Sequence, residues 1–198
     1  WKERFANADG ARSQSLYLEA VNLTDGIGAL ADVARSWGSL RPRGYMAWID
    51  GLAKNADWKV VVSASREALN AIPAGNPTIS AIRRSAARYL GQAGEQLRDP
   101  SIILESALCV FTIAPSNGAL MTLVRVSGER RTEILNEAIL ILSTGKRRRY
   151  LLAEALFMAG RIEETLEIVL ECEPVGWSYG DNPGGLCFSG ILAFHVLG

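Results

Sequence analysis

From about residue 45 onward, apolar residues recur every three or four positions with charged residues between them, the spacing of helices that each bury one face. Trp58, Val61, Val62, Ser65, Leu69 and Ile72 share one such face, with Lys59, Arg66, Glu67 and Asn70 opposite. Ile79, Ile82, Ala86, Leu90 and Ala93 repeat the pattern with Arg83, Arg84 and Gln92 outside, and Ile134, Leu135, Ala138, Ile139 and Leu142 repeat it again. Leu151, Leu152, Ala155, Leu156 and Ala159 form a further stripe, followed by Ile162, Leu166 and Val169. No alternating segment bounded by turn residues stands out, so the pattern predicts an all-α chain.

The residues between the stripes predict short helices joined by tight turns. Asp57, Asn76 and Asp99 stand where an N-cap should, and Pro77 and Pro100 where a missing N–H costs nothing. Gly75, Gly94, Gly128, Gly145 and Gly160 are expected to close helices. Connections this short fold each helix back on its neighbour. Before residue 45, Leu16 to Leu23 and Ile27 to Trp37 read as two helices broken at Thr24-Asp25-Gly26. Leu40 to Gly44 reads as a linker, and residues 1–10 as a lead-in. The expected organisation is N-terminal helices over 1–44 and one continuous array over 45–198, and because the chain opens on Trp1 it is expected to be a piece of something longer.

A weak repeat supports the array. Pro73 and Pro115 stand 42 residues apart, and the same offset pairs Asp57 with Asp99, Val61 with Ile103 and Leu69 with Phe111. Hairpins recurring every ~35 to 45 residues are the sequence mark of an α-solenoid. Tyr150 to Glu167, with its first-helix leucines, turn Gly160 and second-helix apolar positions, resembles the tetratricopeptide-type repeats, as does Asn55-Ala56-Asp57-Trp58. The likeness spans residues 45–175. It implies a right-handed superhelix of antiparallel hairpins, about five here, used mainly for binding peptides and proteins, and it carries over no catalytic residue.

Composition narrows the function. The chain has 198 residues, 48% of them hydrophobic and 21% charged, with 21 basic and 21 acidic side chains and one His, which excludes a disordered or uniformly basic protein. Three Cys without a C-x-x-C pair point to a reducing, cytoplasmic setting. The apolar run Gly184 to Gly198 falls short of the ~20 residues a bilayer span needs, so a packing helix and no membrane partner are expected. Ser101 to Val126 is interrupted by Glu105, Pro115 and Asn117 and reads as two buried helices.

Candidate chemistry mostly falls away. Gly26-Ile27-Gly28-Ala29-Leu30-Ala31, with Asp50 downstream, has the outline of a dinucleotide fingerprint, but that motif works only after a strand. A helix-to-helix turn is expected instead. His195 has no nucleophile motif beside it, and Cys172, Cys187 and His195 lack a fourth zinc ligand and a regular spacing. Cys109 reads as core. Glu163, Glu167 and Glu171, with Glu164 alongside, make one acidic ridge on a helix, ordinarily a solvated face. No catalytic residue, cofactor or metal is expected.

Two features remain as partner-binding candidates. Residues 125–149 hold seven cations (Arg125, Arg130, Arg131, Lys146, Arg147, Arg148 and Arg149) against three acids, and the next 24 residues hold Arg161 against six Glu. These arginines either reach acids on neighbouring helices or meet an acidic peptide or a phosphate backbone; nucleic acid is the lesser expectation, since no aromatic residues are interleaved for stacking. The stretch Pro174 to Gly185 carries Trp177 and Tyr179, which either plug a groove or present a contact. The candidate site is therefore Arg130, Arg131, Arg147, Arg148, Arg149, Trp177 and Tyr179. The reading is a non-enzymatic protein- or peptide-binding module, with a nucleic-acid-binding repeat or a purely architectural arm as alternatives.

Overall fold

Helical spacing becomes helix throughout the residues described by the computed structural model, 10–144 and 148–170, and no strand occurs among them. The chain divides into two units, Trp1–Ala114 and Pro115–Gly198. The first holds α1 (Ala11–Asp25), α2 (Ile27–Trp37), α3 (Arg43–Lys54), α4 (Trp58–Ala71), α5 (Pro77–Leu97) and α6 (Pro100–Ile113). The second holds α7 (Asn117–Val126), α8 (Arg131–Ser143), α9 (Arg149–Met158) and α10 (Ile162–Leu170). None is long and apolar enough to cross a membrane, among the described residues.

Local chemistry sets the helix ends. The Asn76 side chain accepts from the Ile79 amide, Asp99 from the Ser101 and Ile102 amides, and Ser116 from the Ala119 amide, each meeting a donor that the first turn leaves unpaired. Asp57 precedes α4 but its side chain makes no capping bond, contrary to the sequence expectation. Gly26 turns α1 into α2 at φ +81°, so the supposed fingerprint is a helix-to-helix turn, and Gly160 closes α9 at φ +75°. The 42-residue offset holds at the level of whole elements: α4 and α6 are both 14 residues long and begin 42 residues apart.

Gly94 closes nothing. It lies inside the 21-residue α5, which runs on to Leu97, and Arg98 makes the left-handed exit at φ +53°. Its role is close packing: a Cβ there would stand 3.0 Å from the Ile103 backbone nitrogen, and one at Gly91 2.5 Å from the Ser106 hydroxyl. Ser106 in turn donates to the Ala87 carbonyl at 2.7 Å. Missing side chains on α5 let α6 approach, and the hydroxyl finds a partner in the dry contact.

Successive helices in the first unit pack on one another, and α1 also packs on α3, as α3 does on α5. Its core runs from Leu18 and Leu30 through Trp48, Ile49, Val61, Ile72 and Leu90 to Ile102. Arg83, expected outside, is half-buried and donates to the carbonyls of Leu69 (2.8 Å) and Ile72, where α4 ends. A cation there satisfies carbonyls that no amide can reach and sits at the negative end of the helix dipole. In the second unit α7 packs on α8, α8 on α9 and α9 on α10. There the predicted stripe Ile134, Leu135, Ala138, Ile139 and Leu142 is buried along its whole length.

Candidate functional site

Polar side chains join helices that are two apart in sequence. Arg35 of α2 donates from Nε and a terminal nitrogen to Glu67 of α4 at 2.8 and 3.0 Å, and Arg66 of α4 grips Glu105 of α6 at 2.9 and 2.6 Å. Arg35 also lies over the Trp48 ring, 5.1 Å from its centroid. The Arg35 hydrogen bond holds the Glu67 carboxyl below its usual range, against the opposing pull of partial burial. On the α1–α3–α5 side, the Tyr89 hydroxyl of α5 donates to Asp50 of α3 at 2.8 Å. Asn117 of α7 likewise donates to both carboxylate oxygens of Glu154 on α9, at 2.8 and 2.7 Å. The four links span 32, 39, 39 and 37 residues, about one helical hairpin each.

The Asp50–Tyr89 link borders an open groove of about 620 Å³ between α1, α3 and α5. Leu18 and Leu30, both buried, give it an apolar floor, and Met46 and Ala47 of α3 continue that surface. Ser15, Glu19, Asn22 and Leu23 project from α1, with Leu23 78% exposed. Arg43 and Lys54 stand at the two ends of α3. Lys54 pairs with Asp50 at 2.7 Å, whereas Arg43 and Glu19 form no ion pair with any described residue. The groove thus combines an apolar floor with a few polar groups along its sides.

The charge at Asp50 is held by its two partners. Burial pushes the Asp50 carboxyl up, but the Lys54 ammonium and the Tyr89 hydroxyl more than offset it, leaving its pKa below the usual carboxylate value. Burial and the Asp50 hydrogen bond push the Tyr89 phenol up to about 12. A phenol so firmly protonated, already donating to a carboxylate already ionised, has no proton to exchange near neutrality. The cluster ties α5 to α3 through Tyr89 and leaves Arg43 and Glu19 outside its hydrogen bonds.

The residues singled out from sequence lie elsewhere. Arg130 spends its charge locally, gripping Glu133 three residues on at 2.9 and 2.6 Å. Arg131, Arg148 and Arg149 are exposed at the starts of α8 and α9. Lys146, Arg147, Trp177 and Tyr179 fall outside the described residues, as do Glu171, Cys172, Cys187 and His195. Glu163, Glu164 and Glu167 are exposed on α10, where Arg161 pairs with Glu164. Cys109 is half-buried, and burial pushes its thiol up, away from the reactive thiolate. No group of His, Cys, Asp and Glu among the described residues could hold a metal ion.

No local sequence signal marks the groove, because its walls come from three helices. The Asp50–Lys54 pair is legible as an i, i+4 spacing, but nothing local joins Asp50 to Tyr89, 39 residues away. No protein-family model, curated protein or solved structure matches the chain.

Proposed function

We propose that the chain is a non-enzymatic protein- or peptide-binding module, built on helical hairpins in a tetratricopeptide-like right-handed array. The observation that carries this reading is the open groove between α1, α3 and α5, with its apolar floor, exposed Leu23, and Arg43 and Glu19 in no ion pair with a described residue. Polar links recurring at 32 to 39 residues support the repeat arrangement. Closer backbone approach along α1, α3 and α5 than along α2, α4 and α6 supports curvature that puts the groove on an inner face. The test is capture of binding proteins on the immobilised chain, with cross-links mapped on α1 and α3. A partner cross-linked there is expected; recovery no better than a charge-scrambled control contradicts the reading.

Exposed Arg131 and Arg148, neither in an ion pair with a described residue, favour nucleic acid as a second reading. It requires retention on RNA or DNA at low salt that weakens steeply as salt rises.

A further inference from the structure

The two walls of the groove carry opposite charge. On α1, Glu19 and Leu23 line the groove one turn apart, so a carboxylate that forms no ion pair with any described residue stands beside a large apolar side chain, 78% exposed. On α3, Arg43, Met46, Asp50 and Lys54 share the facing stripe. Asp50 is engaged by Lys54 and Tyr89, which leaves that wall one positive charge in excess, at Arg43. Arg43 is the first residue of α3, so its cation faces the positive end of the helix dipole with no described carboxylate to balance it. An anion arriving from outside relieves that arrangement.

Resting on the binding reading above, we propose that the occupant is an amphipathic helix of a partner protein. Its apolar stripe lies on Leu23 and Met46, a basic edge faces Glu19, and an acidic edge faces Arg43. Length agrees. Arg43 and Lys54 are 11 residues apart on one helix, about 16 Å or three turns, enough for a stripe of three or four apolar anchors. Among the described residues there is no strand edge to which an extended peptide could add.

The experiment selects binders from a displayed library of helix-forming peptides with randomised faces, using the full chain as bait. Its variants are Leu23→Glu, Glu19→Lys and the double reversal Glu19→Lys/Arg43→Glu. All three positions are exposed, and unchanged circular dichroism confirms that each variant folds. Enriched peptides are expected to carry an apolar stripe with an acidic edge on one side and a basic edge on the other. Leu23→Glu should weaken them about tenfold or more. Selection on the double reversal should return peptides with the two edges exchanged. Peptides that bind but ignore all three variants overturn the proposed occupant and leave the module reading standing. No enrichment on the native chain overturns both.

Discussion

The two units use charge differently. In the first, Arg35–Glu67, Arg66–Glu105 and Asp50–Tyr89 each reach across to a helix one hairpin away, alongside the same-helix pair Lys54–Asp50. In the second, Arg130–Glu133 and Arg161–Glu164 each close within a single turn, and the uncharged Asn117 reaches a carboxylate one hairpin away. Cross-helix pairs specify how one hairpin sits on the next; same-turn pairs support a helix that would form anyway. The density of charge along a sequence therefore misleads about where it acts. The basic block stands out in sequence yet spends part of its charge on itself, while the sparser charges of the first unit tie hairpins together.

Substitutions can break this comparison, and the largest effect tests packing. Phe111 is fully buried on α6, so Phe111→Ala is expected to cost about 3–5 kcal/mol in denaturant unfolding. A cost under about 1 kcal/mol would mean that Phe111 is not packed in a core as described.

Next is one substitution in two settings. Gly94→Ala should destabilise by about 1–3 kcal/mol, because the new Cβ meets the Ile103 backbone, which cannot turn aside. Gly118→Ala, on α7 with nothing within 4 Å of the added Cβ, should stabilise by about 0.4–1 kcal/mol through helix propensity and a less flexible unfolded chain. Equal signs in the two thermal shifts would refute the close crossing of α5 and α6.

Smaller still is the coupling of Arg66 with Glu105. Both side chains are more than a third exposed, so a double-mutant cycle should give about 0.2–1 kcal/mol, fading as salt rises. Zero coupling at low salt would remove the charge link between α4 and α6.

Acid sharpens the contrast in sign. Glu67 titrates below its ordinary 4.5, so its contribution is present above that value and disappears as pH falls through the folded-state value. Glu154 is opposite: partial burial raises it, against the Asn117 hydrogen bond, so its contribution is present below 4.5 and lost as pH rises. Unfolding at pH 7 should show Glu67→Gln destabilising and Glu154→Gln neutral or stabilising, with both differences shrinking under acid. Matching signs at pH 7 would contradict the two environments.

Much of the fold was legible because it is local. Helix faces such as Ile134 to Leu142, the caps at Asn76 and Asp99, and the turn at Gly26 follow from spacing and side-chain chemistry within a few residues. Gly94 was misread because a glycine that ends a helix and one that admits a neighbouring helix look alike until the neighbour is placed. Arg83 was misplaced because the carbonyls it serves belong to another helix. The groove was illegible for the same reason, since Leu23, Met46 and Tyr89 are neighbours only once three hairpin elements have packed.

The most direct test of the central claim, that the first unit carries the binding face, is amide hydrogen exchange on the full chain with and without a peptide selected on it. Added protection is predicted over residues 15–23 and 43–54, with 131–143 unchanged. Protection confined to 131–143, or none anywhere, would contradict it.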